Sequence, residues 1–364
     1  MWLSVVLARI GVLCGLGLAL FITRDLLAPA PQLPCDFILL GSVSSNGATI
    51  LVKGCEEGVE TAVLKLFRDK SSPSPALIAE AQPDIRIAND DGKMWFGSCE
   101  FLRLEANTTY RVEYHRKQIS FKTFPTSSSE PLRISFGSCS SLTSFPWNSL
   151  SSAFTKILDL HPTLALFLGD NVYTDVHETL PWYRIPFDTA YLRLLADPAV
   201  VKLRQTVPTY TMFDDHEVEN DFQGLQHPLA TKGLEAYVKF MGQTNPGRSL
   251  NISKLYYSFD YATTASFFVV DTRLNYNPEK GLLLGTAQKD ELLSWLRRGA
   301  KLGFDHLIIV RYLIDIRERK VKMTNQYAQW RRAHCLGVPT ATETLSIGIE
   351  KRCLTRSGDS TYVT

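Results

Sequence analysis

The chain has almost no net charge and no disulfide framework, and each absence removes a class of function. Across 364 residues, 39 Lys and Arg stand against 37 Asp and Glu, a formal charge of +2. Nothing in bulk therefore favours nucleic acid or an anionic surface, and no nucleic acid is expected as a partner. The seven cysteines do not form the spaced pattern of a disulfide scaffold. Cys14 lies in an apolar segment and Cys139 in a polar cluster, while Cys35, Cys55 and Cys99 allow one disulfide with one thiol left over. Convincing buried strands are also lacking after 306–310, so 311–364 reads as a divergent, poorly folded tail with charged stretches at 317–322 and 329–332. What is present is a hydrophobic content of 45%, enough for real cores, in a chain long enough for two domains.

One long hydrophobic run stands out. Segment 3–22 carries no charge except Arg9, and its length lies in the lower to middle range of a membrane-spanning helix. It also fits a signal peptide, with 10–22 as the apolar region and Ala28-Pro29-Ala30 as a small-residue cleavage site. Cleavage would leave Pro31 first, where the fixed ring and missing N–H hinder a protease that binds its substrate extended. The expectation for 1–27 is therefore an uncleaved signal anchor, with a cleaved signal peptide as the alternative. Both send the rest of the chain into the secretory pathway, anchored in the membrane and facing the lumen or exterior, or secreted if the segment is cleaved. Two glycan acceptor sequons agree with this, Asn107-Thr108-Thr109 and Asn251-Ile252-Ser253.

Residues 28–34 are Pro-rich and read as a stiff spacer. Short alternating runs follow at 36–40, 48–53, 62–67, 93–96, 110–114 and 119–124, the rhythm of a small all-β sandwich over 35–124. Within it, Leu104 to Tyr110 resembles the loop and tyrosine corner of fibronectin type III-like domains, in which a phenol pins the loop before a strand. A Ser-rich linker at 125–131 precedes a change of rhythm. Over 132–310, β-type runs alternate with helical stretches at 149–160, 188–196, 231–241 and 286–301, the pattern of a layered α/β domain.

Four apolar runs of that second region stop on polar clusters: Phe136-Gly137-Ser138-Cys139, Gly169-Asp170-Asn171-Val172-Tyr173, Asp214-Asp215-His216-Glu217 and Asp271-Thr272-Arg273. In an open sheet, carboxyl ends of strands converge on one crevice, so such clusters predict a shared metal site. Asp170 and Tyr173 supply hard anionic oxygens suited to a trivalent ion, and a thiolate at Cys139 is favoured beside a cation. Asp215 and Asn220 offer oxygens suited to calcium. His216 can ligate, donate to a phosphate oxygen or orient a carboxylate. Arg273 reads either as a structural ion pair or as a bidentate oxyanion binder.

In this order, behind a small β domain, the clusters resemble the PhoD-type alkaline phosphatase/phosphodiesterase family of the metallophosphoesterases. The Gly-Asp-x-x-Tyr loop is shared with purple acid phosphatases, but Cys139 and Asp-Asp-His-Glu in place of Asn-His-Glu argue against that family. The resemblance implies a four-layer α/β/β/α sandwich and metal-dependent hydrolysis of phosphate monoesters or diesters by an activated water or hydroxide. It also implies Fe3+ held by Cys139, Asp170 and Tyr173, with Asp170 bridging to Ca2+ or another divalent ion. Asp215 and Asn220 are further metal candidates, and His216 and Arg273 are candidates for stabilising developing charge. The family closes its site with a later strand ending in Gly-Asp-x-His. Here His334 has no strand before it and Gly358-Asp359 has no His after it, so the match breaks near Arg311. The alternative is a catalytically inactive, membrane-anchored lumenal protein that keeps the scaffold.

Overall fold

The computed structural model describes residues 29–55, 62–68, 76–88, 94–127, 131–140, 149–175, 184–247, 251–277, 282–313 and 343–350. The apolar segment at 3–22, His334 and Gly358-Asp359 lie outside them. Among the described residues no helix is long and apolar enough to cross a membrane.

The early region forms eight strands: β1 (Ile38–Val43), β2 (Gly47–Cys55), β3 (Leu64–Arg68), β4 (Ala76–Ala81), β5 (Ile85–Ala88), β6 (Met94–Leu102), β7 (Thr109–Tyr114) and β8 (Lys117–Lys122). They make two antiparallel sheets, ordered β1-β2-β6-β5 and β4-β3-β7-β8. Alternation places Ile38, Leu40, Ile50 and Val52 between the sheets with Leu64, Leu66, Val112 and Phe121. The tyrosine corner forms, with the Glu105 backbone N–H donating to Tyr110 Oη at 2.9 Å. The single disulfide that three nearby cysteines allow joins Cys35 to Cys55, and Cys99 is a buried thiol.

The second region contributes β9 (Ile134–Gly137), α1 (Ser149–Asp159), β10 (Leu164–Leu168), α2 (Phe187–Ala196), α3 (Pro198–Thr206), β11 (Thr209–Met212), α4 (Ala230–Phe240), β12 (Tyr257–Tyr261), β13 (Ala265–Val269), α5 (Thr286–Leu302), β14 (His306–Leu313) and β15 (Glu343–Glu350). Strands β9, β10 and β11 are parallel in the order β11-β10-β9. A second sheet runs β12-β13-β14-β15, antiparallel only between β12 and β13. The two sheets pack face to face through Leu164, Leu166, Tyr210, Phe259 and Phe267, with the Tyr210 and Phe259 rings stacked at 3.8 Å. Behind β10, Ala165 and Phe167 face a core that includes Tyr191, Leu203 and Tyr237 of helices α2, α3 and α4. Behind β13 and β14, Phe268, Leu307 and Ile309 meet Leu292 and Trp295 of α5. Burial on both faces explains why these strands are continuous apolar runs.

One further strand follows the buried run at 306–310: β15 pairs parallel with β14 from His306↔Glu343 to Leu313↔Glu350. Its signal is the period-two placing of Leu345, Ile347 and Ile349 among polar or small residues, a pattern easily lost within a charged neighbourhood.

Candidate metal centre

Each cluster sits where a strand of the inner sheets ends. Gly169 follows β10 at φ +92°, and a Cβ there would lie 2.5 Å from that of Asp214, so the turn admits only glycine. The close approach brings the end of β10 against the end of β11. Asp170 and Cys139 both take left-handed backbone conformations, at φ 50° and 61°. Non-glycine residues held this way cost about 1–3 kcal/mol each and concentrate at functional sites. The two turns are locked together, since Ser140 N–H donates to Asp170 O at 2.8 Å and Cys139 N–H to Gly169 O at 3.4 Å.

The side chains converge on one carboxylate. Cys139 Sγ lies 3.4 Å and Tyr173 Oη 3.2 Å from Asp170 Oδ2. Asp170, Asp215 and His216 each offer a ligand atom, all within 4.8 Å of one another. The His216 Nδ1 is held by both Asp175 oxygens, at 2.8 and 2.9 Å, which leaves Nε2 for the cluster. The ring of Tyr173 lies 4.2 Å from that of His216. Burial works to lower the His216 pKa, but the Asp175 hydrogen bond and the charges of Asp170, Asp175 and Asp215 raise it overall. Carboxylates, a phenol, an imidazole and a thiol at this spacing are a donor set that fits a cation, which would also relieve the repulsion among the buried acids.

Arg273 and Asn220 are placed differently from the expectation. Arg273 is 2% exposed; its Nε is paired with Asp214 Oδ1 and its Nη2 lies 2.9 Å from Asp215 Oδ1. With Nε and Nη2 directed at two buried acids, it positions those carboxylates, which is the ion-pair reading. Asn220 is exposed; its side chain donates to Asp221 Oδ2 at 3.2 Å and its backbone N–H to Asp175 at 2.6 Å. Its contribution in this structure is to fix Asp175.

Three acids were given no role by sequence reasoning. Glu217, fully buried, accepts from Asp170 N–H (3.2 Å), Asn171 N–H (2.6 Å), Asn171 Nδ2 (2.8 Å) and Asp214 N–H (3.1 Å). It staples the ends of β10 and β11 from beneath. Burial, reinforced by Asp170, pushes its carboxyl up to about 8 while the Asn171 and Asp214 donors act the other way. Asp175, 41 residues before His216, carries no sequence signal linking the two. Asp271 accepts from Arg273 N–H at 2.9 Å and Leu274 N–H at 3.1 Å, shaping the turn after β13. Only its position at a strand tip marked it.

A family model described as PhoD-like phosphatase matches residues 134–304, from the first residue of β9 to just before β14. Among solved structures, one titled "Structure of PhoD" superposes with a TM-score of 0.57 at 17% identity, over 78% of this chain and 64% of that one. At that identity the likeness speaks to the fold, and the chain spans less than two thirds of that structure's length. No curated protein matches the chain. Residues 134–304, which carry the strand ends that build the cluster, are thus similar to the PhoD-like phosphatase family.

Proposed function

We propose that this chain hydrolyses phosphate monoesters or diesters with the help of cations held at the Asp170 cluster. The observation that carries the reading is the convergence of Cys139 Sγ and Tyr173 Oη on Asp170 Oδ2, with ligand atoms of Asp215 and His216 alongside. Cys139, Asp170 and Tyr173 would hold Fe3+, and Asp215 and His216 would hold Ca2+ or another divalent ion. Bound there, the cations would supply Lewis acidity, lowering the pKa of water and offsetting charge on the phosphoryl oxygens. The protein's own part is positioning. Asp175 fixes the His216 ring, Arg273 holds Asp214 and Asp215, and Glu217 keeps the ends of β10 and β11 in register. The paired inner sheets with helices on both outer faces support the reading of a four-layer α/β/β/α sandwich.

A secretory location is part of the proposal. The Cys35–Cys55 disulfide suits an oxidising compartment, and the sequon residues Asn107 and Asn251 are both exposed. Attachment through 3–22 belongs to the same proposal.

The test is to express the chain, count iron and calcium per molecule, and assay p-nitrophenyl phosphate and bis-p-nitrophenyl phosphate. Bound metal with turnover that falls at least about a hundredfold in Asp170→Asn is the expected result. A protein that folds yet retains no metal and turns over neither ester would overturn the reading.

A further inference from the structure

We propose that the Cys35–Cys55 disulfide is a thiol-exchange site, at which an external thiol becomes attached to Cys35 while Cys55 leaves as a thiolate paired with Lys53. The two sulfurs have different surroundings. Cys35 is exposed, whereas Cys55 is half-buried at the end of β2. Lys53 lies two residues earlier, on the same face of that strand. It is 3% exposed, and its Nζ donates to Cys55 Sγ at 3.6 Å and to Leu33 O at 2.9 Å.

This asymmetry sets the direction of attack. A thiolate from solvent meets Cys35 first, so the new S–S bond forms between the external sulfur and Cys35 Sγ. The old bond breaks, and its electron pair goes to Cys55 Sγ. Exchange is faster when the leaving thiol has the lower pKa, and a neighbouring ammonium lowers a thiol's pKa. At Cys55 that ammonium is in contact before the bond breaks. Lys53 is served too, because burial holds its pKa below the usual lysine value and a thiolate supplies a counter-charge inside the fold.

A second external thiol completes the reduction. It attacks the external sulfur of the mixed disulfide, the bond to Cys35 breaks, and the two external thiols depart as one disulfide. They give up two electrons to the protein disulfide. Of their two protons, one ends on Cys35 and the other goes to solvent, since Cys55 stays ionised. Either step removes the covalent tie between the segment entering β1 and the end of β2. What then holds that segment is Leu33, packed in a core with Leu39 and Leu51 and hydrogen-bonded to Lys53. The bond is thus a redox-sensitive clip on the start of the sandwich.

The test is to expose the folded full chain to reduced glutathione, quench with iodoacetamide and read the two cysteine peptides by mass spectrometry. Glutathione on Cys35 with alkylation on Cys55 is the expected result, formed about fivefold more slowly in Lys53→Met. That substitution also removes the bond to Leu33 O, and a merely structural role for Lys53 would make the disulfide easier to open. A rate in Lys53→Met equal to or above wild type therefore overturns the proposal, as does glutathione on Cys55 or a wild-type disulfide that does not react. In Cys35→Ser, Cys55 keeps Lys53 without the disulfide. Its alkylation at about pH 6, where an ordinary thiol is scarcely ionised, should be at least about threefold faster in the folded variant than in urea. A slower reaction in the folded variant overturns the thiolate–ammonium pair.

Discussion

Glu217 accepts with both oxygens, from four N–H donors that belong to the ends of two different strands. An amide, with one acceptor oxygen, cannot do this. In Glu217→Gln, one oxygen becomes an NH2 group facing N–H donors, so at least one buried donor loses its acceptor. A buried donor left without an acceptor costs about 1–3 kcal/mol, so Glu217→Gln is expected to cost about that much in denaturant unfolding. It should also reduce metal retention, because Asp170 and Asp214 lose their shared anchor. Stability within about 0.5 kcal/mol of wild type would show the staple to be dispensable. Gly169→Ala is the backbone counterpart: its Cβ would meet Asp214 at 2.5 Å, in a conformation that alanine resists. The expected outcome is soluble protein with metal lost at equilibrium dialysis, or no soluble protein, and full metal occupancy would contradict this account of the turn.

At the scale of elements, the eight-stranded region is built into the rest of the molecule. Leu39, Leu51 and Phe96, on the outer face of the β1-β2-β6-β5 sheet, share a core with the helices, and Phe96 meets Phe240 of α4 at 4.7 Å. Tyr210 Oη of β11 donates to Val43 O at 2.5 Å, and Gln205 Nε2 of α3 to Ile38 O at 3.2 Å. The tightest approach is at Gly41, where a Cβ would lie 2.5 Å from that of Thr244. Gly41→Ala must push these elements apart, an overpacking that typically costs about 1–3 kcal/mol. A melting temperature equal to wild type would show that this contact yields freely. Nothing in the sequence announced the interface. The run 48–53 is legible as a strand, but not which element covers Leu51, because alternation reports that a face is buried and not by what. The same limit explains the elements missed. Helix α3 opens with Asp197-Pro198, which reads as a turn signal until Asp197 Oδ1 is seen accepting from Ala199 N–H at 2.8 Å and Val200 N–H at 3.2 Å, an N-cap. In β12, Ser258 and Asp260 interrupt an aromatic series that makes sense only once Ser258 and Phe268 are neighbours. Site residues delivered at strand tips, Cys139, Asp170, Tyr173, Asp215 and His216, were legible because an apolar run ending on a polar cluster is a local pattern. The partners that fix them were not, since Arg273 with Asp214 and Asp175 with His216 are pairings between separate segments.

For the whole molecule, these contacts predict that the described regions unfold together. One continuous core joins Ile50 and Val112 of the sandwich sheets to Leu166, Phe267 and Ile308 of the inner sheets, and a second joins Leu51 to helices α2, α3 and α4. A tethered, separate sandwich would melt on its own and ignore the metal. A fused one must share any stabilisation that a bound metal would give to the native state. An ion that binds only the folded chain, at a free concentration one hundred times its Kd, adds about 2.7 kcal/mol. For a cooperative unit of about three hundred residues that corresponds to roughly 4 °C in Tm. Calorimetry of the metal-loaded protein is therefore expected to give a single transition, and stripping the metal with a chelator should lower that whole transition by several degrees without splitting it. Two transitions, of which only one responds to the chelator, would show that the Gly41, Phe96 and Tyr210 contacts do not couple the sandwich to the metal centre.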